Sequence, residues 1–267
     1  FGSGVAIDGD TVAVGAHWEG SNQTTITNGS TASSDNSSAR SGAVYVYKRT
    51  GASWSQEAYI KASNNDTQDW FGRYLDISGD TLAVAAYLED SNQTTITNGT
   101  TASSNNSYDN PGAVYVYKRT GSTWAQEAYI KAKNNDSETW EHFGQNAISL
   151  SGDTLAVGTH REDSNQTTIT NGTSASNDNS ASSAGAVYVY KRTGANWAQE
   201  AYIKAVNSQT NDYFGFSISL DGDTLVVGAT QEDSNQTTIT NGATANSDNS
   251  NNNAGAVYVY KLSLIHI

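Results

Sequence analysis

Cysteine and methionine are absent and proline occurs once in these 267 residues, and 14 Lys and Arg stand against 27 Asp and Glu. Without cysteine there is neither a disulfide framework nor a thiolate metal site. The formal net charge of −13 argues against holding nucleic acid or an anionic membrane through a basic face. No apolar stretch approaches the roughly 20 residues of a membrane helix, and no charged-then-apolar leader opens the chain. It begins inside a motif at Phe1, and so reads as a segment of a larger protein whose leader or anchor would lie upstream.

What is present is repetition. Phe-Gly pairs at Phe1, Phe71, Phe143 and Phe214 open near-identical units about 71 residues apart. The units run 1–70, 71–142, 143–213 and 214–261, the last incomplete, and 262–267 form a non-repeat tail. There Leu-Ser-Leu-Ile-His-Ile replaces the expected Arg-Thr-Gly; it resembles translated sequencing-adapter read-through and is set aside. Val, Ile, Thr and Tyr are frequent and no helical period is sustained, which points to an all-β fold.

Four strands per unit follow from alternation and turn signals. Leu75 and Ile77 alternate with Asp76, Gly79-Asp80 supplies a tight turn, and Leu82–Ala86 form the second strand. Val114–Tyr117 is the third, apolar on both faces as a strand between two sheets must be. In the fourth, from Trp124 to Ala132, Trp124, Gln126, Ala128 and Ile130 are expected on one face, with charges blunting an outer edge. Trp54, Trp124 and Trp197, with Tyr45, Tyr47, Tyr115, Tyr117, Tyr188 and Tyr190, are expected to pack between neighbouring units.

Tandem four-stranded antiparallel units with two apolar faces predict a β-propeller. The ordered series Phe-Gly, Val-Gly-Ala and Gly-Ala-Val-Tyr-Val-Tyr resembles the FG-GAP repeat of integrin α-subunit propellers and of many bacterial surface proteins. The resemblance covers Phe1 to Lys261, although the proline of Gly-Ala-Pro is missing and His17, Tyr87, His160 and Thr230 stand near its place. It implies an open partial propeller of about four blades from a larger ring, the remaining blades of the parent chain being partners. It also implies a bacterial-type location outside the cell or on its surface.

Each unit carries a polar insert of constant length: Ser21–Ser41, Ser91–Pro111, Ser164–Ala184 and Ser234–Ala254. Its first half, Ser-Asn-Gln-Thr-Thr-Ile-Thr-Asn-Gly, barely changes between copies. The resemblance places these inserts on the ligand-facing side, together with the segments linking successive blades. The candidates there are Asp66, Asp69, Trp70, Asn92, Asn98, Asp136, Trp140, Asn165, Asn171, Asp212, Tyr213, Asn235 and Asn241. Amides and carboxylates would bond hydroxyls of an extracellular protein or glycan, and the aromatics would stack on sugar rings. The plainer reading is that the inserts are solvated spacers.

Calcium is the one cofactor the residues invite. Many FG-GAP blades hold it in the first turn, but Ser78-Gly79-Asp80 and Asp221-Gly222-Asp223 offer too few oxygens. Glu89 with Asp90, Glu162 with Asp163 and Glu232 with Asp233 are the alternative ligands, at the base of the inserts. No enzyme is expected, because nearly every carboxylate recurs in several units, whereas catalysis needs one asymmetric constellation. His17, His142 and His160 are expected as surface or turn residues, and His266 belongs to the tail. The reading is an adhesion or surface-recognition module. A lectin is the alternative, and an enzyme acting on polysaccharide, its catalytic part elsewhere, is the different-class alternative.

Overall fold

A computed structural model describes residues 1–135 and 140–265. Asp136 and His266 lie outside the described residues. Among the described residues the fold is all-β apart from one short helical turn, and the strands form four antiparallel sheets. The first holds β1 (Val5–Asp8), β2 (Thr11–Ala16), β3 (Thr27–Asn28), β4 (Ala43–Thr50) and β5 (Ser53–Ile60). The second holds β6 (Tyr74–Ser78), β7 (Thr81–Ala86), β8 (Thr97–Asn98), β9 (Ala113–Thr120) and β10 (Thr123–Ile130). The third holds β11 (Ile148–Ser151), β12 (Thr154–Thr159), β13 (Ile169–Asn171), β14 (Ala186–Thr193) and β15 (Asn196–Ile203). The fourth is three-stranded: β16 (Phe214–Asp221), β17 (Thr224–Ala229) and β18 (Ala256–Lys261), followed by α1 (Leu262–Ile265).

The full sheets have five strands rather than four. Their order is β1-β2-β4-β5-β3 and its equivalents, so a short strand from each insert lies outside the fourth long strand. Thr27 pairs with Tyr59 and Asn28 with Ala58. The expected outer edge is therefore covered by hydrogen bonding instead of being blunted by charge alone.

The fourth long strand also breaks its alternation. Val116 pairs with Ala128 but Tyr117 with Gln126, which leaves Glu127 as a bulge. The extra residue swaps the faces beyond it. Trp124 and Tyr129 consequently share one core with Phe71, Tyr115 and Tyr117, whereas Ala128 and Ile130 enter the next core. The expected grouping of Trp124, Gln126, Ala128 and Ile130 on one face is corrected by this bulge.

Three cores lie between successive sheets. In each, a rear face of Val, Ala and Ile from one sheet meets a front face of Phe, Leu and Tyr from the next, joined in the first two by Trp124 and Trp197. The innermost strands are stitched by side chains that accept backbone N–H groups of the following sheet: Asp8 from Gly79 at 2.5 Å, Ser78 from Gly152 at 3.0 Å and Ser151 from Gly222 at 3.0 Å. Trp124 and Trp197 are buried between sheets as expected, but Trp54, on the front of the first sheet, is exposed. The tail joins the repeat at its start. Leu262 takes the place of the recurring Arg, its N–H donates to Asp223 O at 2.8 Å, and its side chain enters the third core.

Candidate functional site

The inserts fold by their own polar chemistry. Ser91 Oγ accepts from the Gln93 N–H at 3.1 Å, and the Gln93 amide donates to Thr95 O and Thr97 Oγ1, both at 2.8 Å. Gln23, Gln166 and Gln236 repeat the arrangement. The loop is thereby curled so that Thr97-Asn98 reaches the strand beside it. Asn98 then crosses to the next sheet, where its amide mimics a backbone pair: Trp197 N–H donates to Oδ1 at 2.7 Å and Nδ2 donates to Trp197 O at 3.2 Å. Asn28 does the same with Trp124. The near-invariant first half is thus a strap between sheets, a role that neither the ligand reading nor the spacer reading contains. Asn171 and Asn241 hold the same position in the later inserts, while Asn92, Asn165 and Asn235 project into solvent.

At the base of the second, third and fourth inserts a buried acid is committed to the fold. Glu89 takes the Lys131 ammonium at 2.7 Å, the Tyr129 hydroxyl at 2.8 Å and the Asn64 amide at 3.0 Å. Glu162 repeats this with Lys204, Tyr202 and Asn134, and Glu232 accepts from Asn207 at 2.9 Å. Asp90, Asp163 and Asp233 close the loops by accepting from the N–H groups of Asn110, Ser183 and Asn253. Asp80, in the first turn, is paired with Arg119 at 2.6 Å. Among the described residues no three or more His, Cys, Asp or Glu side chains converge as metal ligands. As placed, these carboxylates do not form the cage of about six to eight oxygens that calcium takes.

The inter-sheet segments bring the remaining candidates to the side of the insert bases. Gln68 N–H donates to Ala39 O and Trp70 N–H to Arg40 O, which lays the segment along the end of the preceding insert. Asp69 is buried and accepts the Asp66 N–H at 3.0 Å; burial, and then the charge of Glu89, pushes its carboxyl well above the usual range. Asp212 is its counterpart, raised to about 6 by burial.

Immediately before each internal Phe-Gly stands a ring-bearing residue in the left-handed region: Trp70 at φ 56°, His142 at 53° and Tyr213 at 56°. A bulky side chain is rarely held there, and strain retained at equivalent positions points to use. The rings form a belt in two stretches. Trp18, His17, Trp70, Tyr87, His142 and Trp140 follow one another with centroid separations of 5.5, 5.3, 5.7, 5.5 and 6.4 Å. The second stretch sets His160 5.4 Å from Tyr213 and 5.0 Å from Phe216. Arg73 stacks over Trp70 at 5.2 Å. Trp18 and Trp140 are exposed, whereas the Trp70 indole N–H and the Nδ1 atoms of His17 and His160 are buried without a hydrogen-bond partner.

His17 and His160 stand in turns, one of the two expected settings, but none of the three histidines is on the open surface. His142 and His160 are buried, and His17 is half-buried. Burial, and for His160 next the Arg161 charge, lowers both His142 and His160 to about 4, so the belt is neutral near pH 7. The signal was present in sequence, since His17, Tyr87 and His160 occupy one aligned column. What the sequence withheld was that this column touches the residue preceding Phe-Gly in the next unit. Of the candidates, Trp70, Trp140 and Tyr213 enter the belt and Asp69 and Asp212 lie beneath it in their segments; Asn98 is taken by the strap.

The FG-GAP repeat family matches residues 54–117 and 197–260. Each match runs from the fourth long strand of one sheet to the third of the next and so spans a seam rather than a single sheet. No curated protein matches the chain.

Proposed function

Because the chain is an FG-GAP repeat protein, we propose that its four sheets are blades of an open, partial β-propeller serving adhesion or surface recognition outside the cell. FG-GAP repeats are in general associated with adhesion and ligand-binding modules rather than with catalysis, and typically occur in extracellular or surface proteins. Among the described residues no helix is long and apolar enough to cross a membrane.

The observation that carries the reading is the ring belt, with Trp70, His142 and Tyr213 all held at positive φ. A face of indole, phenol and neutral imidazole, with buried polar atoms left unpartnered, suits a ligand that offers both flat apolar surface and hydroxyl groups. A glycan or the glycosylated surface of a protein has that chemistry. The exposed amides of Asn92, Asn165 and Asn235 would widen the contact.

A panel of glycans and extracellular-matrix proteins, probed with the chain and with Trp140→Ala and Tyr213→Ala, tests the reading. Trp140 is 57% exposed, so its removal leaves the fold intact. Binding that falls about tenfold or more in both variants supports the belt as the site. Binding that persists unchanged in both moves recognition elsewhere.

A further inference from the structure

Six arginines stand in a chain of net charge −13, and they fall into two groups. Arg49, Arg119 and Arg192 recur at one position of the repeat and are paired with Asp10, Asp80 and Asp153. Arg40, Arg73 and Arg161 occur once each, where sister units carry something else. Asn110 and Asn253 hold the place of Arg40, Gln145 that of Arg73 and Gln231 that of Arg161. Among the described residues, none of these three arginines forms an ion pair.

All three meet on the ring belt, although they come from three separate parts of the chain. The Arg40 guanidinium lies 5.5 Å from the centre of the Trp18 ring. Arg73 lies over Trp70, Tyr74 and Tyr87 at 5.2, 5.6 and 5.9 Å, and its Nε donates to the Tyr74 hydroxyl at 3.1 Å. Arg161 follows His160 and is near enough to Tyr87 and His142 for its charge to act on both rings, as the charge of Arg73 acts on Tyr87. Stacking takes up the flat face of a guanidinium and leaves the N–H groups at its edge free to donate.

Packing between repeats accounts for an arginine that recurs with its acid. It does not account for three that each depart from the repeat and gather on one belt without a carboxylate. Beside them the Trp70 indole N–H and the Nδ1 atoms of His17 and His160 are buried with no partner. Forked cations, ring faces and unpaired neutral polar atoms in one row fit a ligand that presents acid groups, flat faces and hydroxyls at successive points.

Taking the belt as the binding site, we propose that its ligand is an anionic polysaccharide, a chain of sugar rings bearing carboxylate or sulfate groups. Arg40, Arg73 and Arg161 each hold one acid group, and the exposed and half-buried rings stack on the sugars between them. A guanidinium fork meets such a group through two parallel N–H···O bonds, which fixes orientation as well as charge. A single sugar reaches one arginine, whereas a polymer reaches all three. The net charge of −13 repels a polyanion at long range, but at physiological ionic strength that repulsion is screened beyond about 8 Å. Contacts at the belt therefore decide the affinity.

Immobilised polygalacturonate, dextran sulfate and neutral dextran, probed with the whole chain at physiological ionic strength, test it. Retention is expected on polygalacturonate, dextran sulfate or both, which also tells carboxylate from sulfate, and not on dextran. The variant Arg40→Asn/Arg73→Gln/Arg161→Gln places at each position a residue that a sister unit already carries there, and circular dichroism checks that it folds. Its affinity for the anionic polymer is expected to fall about tenfold or more. Unchanged binding by this variant would overturn the proposal. So would equal competition by polyglutamate or single-stranded DNA, which carry the charge without the sugar chain's run of rings and hydroxyls. Dextran held as tightly, and still weakened by Trp140→Ala and Tyr213→Ala, would overturn the role of the arginines while keeping the belt as a glycan site. Retention on none of the three polymers would overturn the anionic ligand, and the wider panel then decides the belt separately.

Discussion

Lys131 has its ammonium fully buried, and burial alone would drive it towards the neutral form; the Glu89 carboxylate at 2.7 Å opposes that. Removing one partner of such a pair strands the other charge, whereas replacing both with apolar residues removes the cost along with the attraction. Glu89→Ala is accordingly expected to lose about 3–5 kcal/mol in urea unfolding. The double variant Glu89→Leu/Lys131→Met should stay much closer to wild type. Added calcium should leave the single variant unrescued, because the acid serves the lysine. His142 and His160 give a second prediction. Each titrates near 4 when folded against 6.5 ordinarily, so between those values the folded chain binds fewer protons than the unfolded one. Their contribution is complete above about pH 6.5 and is lost as pH falls towards 4. Asp212, raised to about 6, works in the opposite sense: its contribution is present below 3.8 and lost as pH rises through 6. Comparing His160→Phe with wild type isolates the imidazole. The stability difference should move in favour of the variant by on the order of 2 kcal/mol between pH 7 and pH 4.5, read from unfolding curves at each pH.

The inserts and hairpins act as elements. A short strand that covers the outer edge of its own sheet and pins the backbone of the next gives each of the first two inserts two structural duties, both carried by Thr-Asn at its middle. Asn98→Ala removes both bonds to Trp197 and leaves its backbone groups for water. The expected cost is about 1–3 kcal/mol, with faster hydrogen exchange at the Trp197 amide and little change in the first seam. The bulge at Glu127 is a second device of this scale. It turns the carboxylate to the next sheet, where Oε2 accepts from the Trp197 indole at 2.9 Å and from Arg192 at 3.1 Å. One extra residue in a strand thus converts a solvent-facing acid into a tie between sheets.

At the scale of the molecule, stability resides in the seams, since no sheet buries its own two faces. Glycines that look alike in sequence should therefore differ sharply. Gly79 sits in an open turn at φ 56° with nothing near its missing Cβ, and Gly79→Ala is expected to cost about 1–2 kcal/mol. Gly42, at φ 88° with Phe71 O at 2.0 Å, lies where two backbones touch. Gly42→Ala is expected to exceed about 4 kcal/mol and to release the first sheet before the rest, which proteolysis or hydrogen exchange would localise.

The period of the Phe-Gly pairs, the alternation of the strands and the two-residue Gly-Asp turns were enough to read an all-β repeat with sheets apolar on both sides. Local chemistry dictates these features: strand periodicity and turn dihedrals are properties of a few adjacent residues. The fifth strand was not legible, because Thr27-Asn28 is too short to carry a period and takes its strand pairing from the distant Tyr59 and Ala58. Nor was the bulge, since an added residue leaves no local mark when both resulting faces are apolar. The ring belt needed the tertiary structure most of all. His17 meets Trp70, and Tyr87 meets His142, across more than 50 residues of sequence. An aligned column becomes a surface only when packing sets one unit against the next.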